Sequence, residues 1–185
     1  FRQAHPDVVL QLREATLDVQ LAAFDADEID AGFLLHAPGA VPPGFAAWPA
    51  LTEPLVMALP ASHPAAARPV LHLADVAAEP LVIFPRQIAP SLYDALLAAY
   101  RARGATPQIA QEAIQMQTIV NLVSAGMGLA WVPEAVTRLQ RSGVVYRAVA
   151  DAPLRCQTSL VWRDQGPPVV QRFVAHVMAD AQAQA

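Results

Sequence analysis

Five polar side chains that can bind a small molecule either follow predicted strands or open predicted helices. They are Thr16, His36, Arg86, Gln117 and Thr118. In open α/β sheets, the carboxyl ends of the strands form the usual ligand crevice. Arg86 is the only fixed cation beside the buried stretch 81–84, and its planar guanidinium can hold a carboxylate through two parallel hydrogen bonds. These positions therefore predict a cleft that binds an organic anion.

Each of these residues also has a plainer role. Thr16 suits the N-cap of a helix, a role worth about 1 kcal/mol. Capping still leaves the amides of residues 17–19 able to meet a carboxylate. His36 suits a solvated loop, Arg86 suits an ordinary surface position, and the two helical residues suit a solvated first turn. Both interpretations stay open at this point.

Catalytic and metal-binding patterns are not found in the sequence. The five histidines are scattered and have no pair at the helical spacing of a zinc site. There is no Gly-x-Ser-x-Gly elbow, and the acidic residues show no paired-carboxylate signature. We therefore expect no metal, no cofactor and no enzymatic activity. A catalytic site assembled from distant segments stays open as an alternative.

The stretch 115–133, QMQTIVNLVSAGMGLAWVP, carries the clearest structural signal. Four apolar residues from Met116 to Val123 recur at the i, i+3, i+4, i+7 spacing of one helix face. Gly126 can then end the helix in the left-handed C′ conformation, and residues 129–132 follow as a buried strand. Because these glycines follow a helix and open a strand, their order excludes a dinucleotide-binding loop, in which glycines follow a strand and open a helix.

The same periodicities predict the remaining elements. Strands are predicted at 8–14, 29–35, 55–59, 81–84, 107–111, 144–149 and 157–162. Helices are predicted after Thr16, over 92–100, after Pro133 as far as Arg141, and from Pro168. The β-α-β step that begins at 8–14 and ends with 29–35 implies that these two strands pair in parallel.

Composition limits the classes of function. The 185 residues suit one ordinary domain or two small lobes, and 55% hydrophobic residues suffice for a full core. No apolar run reaches the roughly 18 residues of a membrane helix. The net charge is −4, and the 12 basic residues are all arginines that form no stripe. Because nucleic-acid binding needs clustered cations, we expect none from this chain alone. Cys156 is the only cysteine and is expected to be buried.

A series of short motifs runs along nearly the whole chain. They are His5-Pro6-Asp7 with the strand after it, Ile29-Asp30-Ala31-Gly32-Phe33, the Glu53–Pro64 strand and turn, Leu73–Val76 with Pro80–Ile83, and TIVNLVSAGMGLAWVP at 118–133. Each motif is weak alone. Their order and spacing resemble the effector-binding domain of LysR-type transcriptional regulators.

The resemblance implies an α/β fold of two Rossmann-like lobes with mixed sheets, similar to the type 2 periplasmic binding proteins. Lobe one is then 1–52 plus 153–185, lobe two is 53–152, and the effector cleft lies between them. The resemblance also implies that a first strand and most of a first helix precede Phe1. A winged helix-turn-helix that binds DNA is expected further upstream.

The implied function is the effector-binding and oligomerisation domain of a cytoplasmic LysR-type regulator that senses a small anionic organic molecule. The expected effector contacts are Thr16, Leu17, His36, Phe84, Pro85, Arg86, Gln117 and Thr118. The expected partners are the effector, further copies of the chain in a dimer or full-length tetramer, and DNA only through the upstream domain, with no membrane. A free solute-binding protein of the same fold is the alternative, and an enzyme on that fold is a second one.

Overall fold

The computed structural model describes residues 1–183 and divides into two compact units. The first unit combines Phe1–Leu51 with the described chain from Gln157 onward, and the second is Thr52–Cys156. Two long strands therefore carry the chain from one unit to the other and back. The sequence-based boundaries are one residue later at the first crossing, at 52/53, and four residues earlier at the second, at 152/153.

The elements alternate between strands and helices in the way that defines a mixed α/β fold. The strands are β1 (Ala31–His36), β2 (Ala46–Pro60), β3 (Val70–Leu71), β4 (Pro80–Ile83), β5 (Gln108–Glu112), β6 (Ala130–Pro133), β7 (Val144–Val149) and β8 (Arg155–Trp162). The helices are α1 (Leu17–Asp25), α2 (Pro90–Arg101), α3 (Met116–Ser124) and α4 (Pro168–Ala183). Short 3₁₀ turns connect several of them. The predicted helices over 92–100 and from 116, and the predicted strand 144–149, are confirmed.

In the first unit, β1 and β8 form an antiparallel pair in which His36 is opposite Gln157. Successive side chains of a strand point to opposite faces, so the pair carries two separate clusters. Leu34 packs with Phe24 of α1 on one face, and Leu160 packs with apolar residues of α4 on the other. One helix therefore packs on each face of the β1–β8 pair, α1 on one and α4 on the other.

The predicted strand at 8–14 is wrong, and so is its parallel pairing with 29–35. Residues 9–16 have an irregular backbone, and within residues 1–183 β1 pairs with β8 alone. Val9 and Leu12 are 85% and 88% exposed. Alternating apolar residues form a strand only where a neighbouring backbone completes the ladder. Within residues 1–183, no strand pairs with this segment.

In the second unit, β2 is the central strand. From Leu55 onward it pairs antiparallel with β6 on one edge and with β7 on the other, and β7 pairs in parallel with β3. β4 pairs in parallel with β5 and bridges Leu129, the residue before β6. β4, β5 and β6 therefore run in the same direction, and their carboxyl ends lie at one edge of the sheet.

The turn between α3 and β6 confirms the role predicted for its glycines. Gly126 has φ +78°, and the Met127 N–H donates to the Leu122 carbonyl at 3.1 Å, as in a Schellman cap. Gly128 has φ +147°, and a Cβ added there would lie 2.5 Å from the carbonyl oxygen of Pro80. The second glycine therefore permits close approach of the turn to β4.

The helix predicted after Pro133 is shorter than expected. It is a 3₁₀ helix, Glu134–Leu139, rather than an α-helix that reaches Arg141. Gln140 has φ +45°, in the left-handed region, and this conformation ends the helix. The carboxylate of Glu53 accepts a hydrogen bond from the Ala135 N–H at 2.6 Å and so satisfies one of the first amides of this 3₁₀ helix.

Candidate functional site

The carboxyl ends of β4 and β5 bring two of the predicted segments together in the second unit. Ile83 is opposite Glu112 in the parallel register, and the Ala113 N–H donates to the Ile83 carbonyl at 3.0 Å. The chain after β4 is Phe84–Arg86, and the chain after β5 leads into the first turn of α3. Five of the eight predicted contact residues thus lie along one sheet edge.

Phe84 and Pro85 have different surroundings at this edge. The Phe84 ring is buried and meets Tyr93 of α2 in an edge-to-face contact, with 6.2 Å between ring centroids. Pro85 is half-buried and takes the N-cap position of the 3₁₀ turn Arg86–Ile88. The fixed φ of a proline suits such a turn, so these two residues anchor the segment that presents Arg86.

Arg86 already has a carboxylate partner within the chain. Its Nε and Nη2 donate to the two carboxylate oxygens of Asp94 at 2.8 and 2.7 Å. The hydrogen bonds from Arg86 lower the pKa of the Asp94 carboxyl below its ordinary value. The side chains are 60% and 53% exposed, so water and solutes reach the pair. The two-pronged contact is the geometry predicted for an effector carboxylate, but an internal carboxylate fills it.

Gln117 and Thr118 lie in the first turn of α3, and both side chains are exposed. The opposite face of this helix is in the core, because Ile119, Val120 and Val123 are buried. One helix therefore combines an apolar core face with polar side chains beside the end of β5. Helix N-termini carry partial positive charge, which suits an anion.

Thr16 and Leu17 start α1 in the first unit. Thr16 has the extended backbone of an N-cap residue, but its hydroxyl donates to the Asp18 carboxylate instead of accepting from a helix amide. The capping role considered for its side chain is therefore wrong. This bond, followed by weaker bonds from the Val19 and Asp18 amides, lowers the pKa of Asp18. Leu17 packs against the cluster around Phe24.

His36 is buried rather than solvated, with 2% of its surface exposed. Its Nδ1 lies 2.7 Å from the Ala37 carbonyl oxygen, and its Nε2 lies 2.9 Å from the Ser159 hydroxyl. Since a carbonyl only accepts, Nδ1 carries the hydrogen and donates to Ala37, and Nε2 pairs with the Ser159 hydroxyl. Both ring nitrogens are therefore used within the first unit, and the solvated alternative is wrong.

Sequence reasoning missed the acidic partners of the predicted site. Asp94 is eight positions after Arg86, across the boundary of α2, and no helical or strand spacing connects the two. Asp18 follows Thr16 by two positions, a spacing at which side chains do not usually face each other in a helix. The acidic residue in the first turn of α1 was the available signal, because it offers a local acceptor for the Thr16 hydroxyl.

Reactive and metal-binding groups are sparse within the described residues. No group of three or more histidine, cysteine or acidic side chains suited to a metal ion occurs among residues 1–183. Cys156 is buried, as predicted, and burial raises the pKa of its thiol to about 12. A thiol with this pKa stays protonated at neutral pH and is a poor nucleophile.

The two α/β units and the two strand crossings define a binding-protein-like fold, and comparisons with known proteins agree. The effector-binding domain of a BenM variant superposes with a TM-score of 0.82 at 24% identity, over 99% of this chain and 85% of that one. CbnR, a LysR family transcriptional regulator, superposes with a TM-score of 0.77 at 25% identity, over 97% of this chain and 62% of that one.

Residues 1–182 match the family model of the LysR substrate binding domain, so the chain belongs to this family. The transcriptional regulator IlvR of Caulobacter vibrioides is 42% identical over 99% of this chain. The uncharacterized regulator YnfL of Escherichia coli is 33% identical over 96% of it. The chain spans 62% and 60% of the length of these two relatives. It is therefore the effector-binding domain of a LysR-type regulator, and the family and fold predicted from its motifs are confirmed.

The same comparisons bear on the rival classes of protein. The family match and the named regulators do not favour a free solute-binding protein. These relatives are named as transcriptional regulators and not as enzymes. Among residues 1–183, no helix combines the length and apolar character needed to cross a membrane.

Proposed function

We propose that this domain senses a small organic anion and that the full-length protein uses the signal to regulate transcription in the cytoplasm. The observation that carries the proposal is the guanidinium of Arg86, which is exposed at the shared carboxyl edge of β4 and β5. The N-terminal turn of α3 lies on the same edge. A cation and a helix N-terminus both favour a carboxylate.

The proposed contacts follow from the chemistry of each side chain. Arg86 binds the effector carboxylate, and Gln117 and Thr118 offer hydrogen bonds from α3. Pro85 and the buried Phe84 hold the Arg86 segment in place. In the first unit, we assign Thr16 and Leu17 at the start of α1 to effector binding. We assign His36 a supporting role, because both of its ring nitrogens already have partners.

Titration calorimetry with a panel of aromatic and dicarboxylic acids tests the anion site. Arg86→Ala should weaken the best acid about tenfold or more, because a hydrogen bond to a charged group contributes roughly 1.5–3 kcal/mol. Arg86→Lys should recover only part of the loss, since an ammonium cannot reproduce a two-pronged contact. Arg172→Ala, at an exposed position of α4, is the matched control. Equal binding by wild type and Arg86→Ala would show that the anion site lies elsewhere.

We further propose that residues upstream of this chain complete the first unit. The segment 8–14 joins no sheet within the described chain, and Val9 and Leu12 are exposed. Phe33 of β1 is also exposed, and its carbonyl accepts a side-chain hydrogen bond from Gln20 at 3.3 Å. An upstream strand beside β1 would pair with both segments. In a longer protein, hydrogen exchange should then slow at residues 8–14; unchanged exchange would refute the pairing.

Self-association and DNA binding are proposed for the full-length protein. The exposed face of α3, which includes Asn121 and the half-buried Leu122, is the proposed dimer contact with an upstream helix of a second copy. Sedimentation of a longer protein that shows only monomers would refute it. DNA binding requires the upstream domain, because the arginines of this chain form no cluster on its sequence. A salt-reversible shift of promoter DNA by this chain alone would contradict that requirement.

A further inference from the structure

Asp94 occupies the edge of Arg86 that an effector carboxylate needs. The Nε and Nη2 edge of a guanidinium is one of its two forks for a planar carboxylate. In the structure, both oxygens of Asp94 fill this fork at 2.8 and 2.7 Å. Both residues are exposed, and they come from adjoining elements, the 3₁₀ turn Arg86–Ile88 and α2. The fork is thus preformed and filled by the chain's own carboxylate.

We propose that Asp94 is an internal competitor for the effector and sets the concentration at which the domain responds. This inference rests on the proposed function, in which Arg86 receives the effector carboxylate. Binding then exchanges one carboxylate for another on the same fork. The exchange is open to solutes because exposed ion pairs are weak and break readily in water.

The start of α1 repeats the same arrangement in the first unit. The Thr16 hydroxyl donates to the Asp18 carboxylate, and the Asp18 and Val19 amides also bond to it. A carboxylate of the chain therefore satisfies the groups that we assign to effector binding there as well. Internal carboxylates therefore accept hydrogen bonds from two of the residues predicted to contact the effector, Thr16 and Arg86.

The exchange has a consequence for the class of effector. A carboxylate that replaces Asp94 gains less from the fork than it would from an open one, because part of its interaction only offsets the lost Arg86–Asp94 pair. More of the free energy of binding must then come from the rest of the molecule, through apolar contact or further hydrogen bonds. The domain should therefore ignore small acids such as acetate and select carboxylic acids with a larger body.

Two substitutions separate competition from other effects. Asp94→Ala removes the competitor and places a good helix former in α2. Asp94→Asn keeps the shape and removes the charge. Asp25→Asn is the matched control, because Asp25 also pairs with an exposed arginine, Arg163, at 2.7 Å, in the other unit. All three variants change the net charge by the same amount, so a general electrostatic effect would appear in each.

Calorimetry with benzoate, succinate and acetate measures the competition. We expect Asp94→Ala to bind its best acid roughly two- to fivefold more tightly than wild type, the range that an exposed ion pair supports. The affinity of Asp94→Asn should lie between those of wild type and Asp94→Ala. Asp25→Asn should bind as wild type does, and acetate should not bind wild type. By ¹⁵N NMR, the Nε–H of Arg86 should exchange with water more slowly in wild type than in Asp94→Ala, because only wild type has the Asp94 acceptor.

The outcomes separate a failure of the proposed competition by Asp94 from a failure of the proposed anion site at Arg86. If wild type binds an acid and Arg86→Ala weakens it, but Asp94→Ala does not tighten it, the competition is refuted and the proposed function stands. Equal exchange rates of the Arg86 Nε–H in wild type and Asp94→Ala would also refute the competition. If no acid binds, or if Arg86→Ala leaves binding unchanged, the anion function fails and the inference fails with it.

Discussion

The hydroxyl of Ser159 on β8 and Nε2 of His36 on β1 lie 2.9 Å apart in the core of the first unit. Both residues are buried. The other ring nitrogen bonds to the Ala37 carbonyl, so the imidazole is held from two sides. A buried polar group keeps its place in a core only while its partners remain, so this bond fixes His36 at the end of β1.

Ser159→Ala should therefore destabilise the chain. The substitution leaves Nε2 of His36 buried without a partner, which costs about 1–3 kcal/mol. Urea unfolding followed by circular dichroism should show a lower midpoint with an unchanged slope. Ser62→Ala, at an exposed turn position, should leave the midpoint in place. Equal midpoints for the two variants would contradict the structural role of the bond.

Gly128→Ala should disrupt the second unit. The new Cβ would lie 2.5 Å from the Pro80 carbonyl oxygen, and this oxygen also accepts the Leu129 N–H that joins the turn to β4. Gly126→Ala is the control, because Gly126 also has a positive φ but has open space around the added Cβ. The control should lose about 1–2 kcal/mol from the backbone alone. Thermal unfolding should show a larger loss for Gly128→Ala, and equal losses would rule out the clash.

Arg147→Met should loosen the turn before β3. The guanidinium donates from Nε to the Arg68 carbonyl and from Nη2 to the Ala66 carbonyl, both at 2.7 Å. Methionine keeps much of the apolar stem but leaves these carbonyls to water. We expect faster hydrogen exchange in residues 64–71 and a lower unfolding midpoint. Arg172→Met should change neither, and unaltered exchange in Arg147→Met would show that the turn holds without the arginine.

Stability should fall in acid in part through Asp151. The Leu73 N–H at 2.7 Å and Nε of Arg103 at 2.9 Å bond to its carboxylate. These bonds lower its pKa below the ordinary 3.8. A carboxyl whose pKa is lower in the folded state stabilises the fold above the unfolded value, and this contribution is lost as the pH falls through the folded value.

The test compares urea midpoints at pH 7 and pH 3. Asp151→Asn should be less stable than wild type at pH 7 and should lose less on the change to pH 3, because the titrating group is gone. Asp164→Asn, at an exposed position, should keep the full acid loss. If wild type and Asp151→Asn lose the same stability on acidification, the Asp151 bonds contribute nothing to it.

The fold was largely predictable because its elements carry their own periodicity. The apolar face of α3, the glycines after it and the buried strand β6 all follow from local spacing. The segment 8–14 has an equally regular alternation but no ladder. A strand depends on its neighbours as well as on its sequence, and in the described residues that neighbour is missing.

The sequence predicted where the candidate site residues lie, but not which of them have partners within the chain. Strand ends and helix starts identified Arg86 and Thr118, since both follow from the order of elements. The pairing of Arg86 with Asp94 depends on the geometry of the junction between the 3₁₀ turn and α2. The burial of His36 depends on contact with β8, which is distant along the chain. Helical and strand periodicity does not predict such contacts, so the sequence analysis did not identify Asp94 as the partner of Arg86.

The buried thiol of Cys156 allows the local opening of β8 to be measured. Because the sulfur is buried in β8 and stays protonated at neutral pH, an alkylating reagent can react only when the strand detaches. The chain has one cysteine, so every labelled molecule reports the same event. The labelling rate divided by that of a free thiol gives the fraction of time the strand is open, and hence its opening free energy.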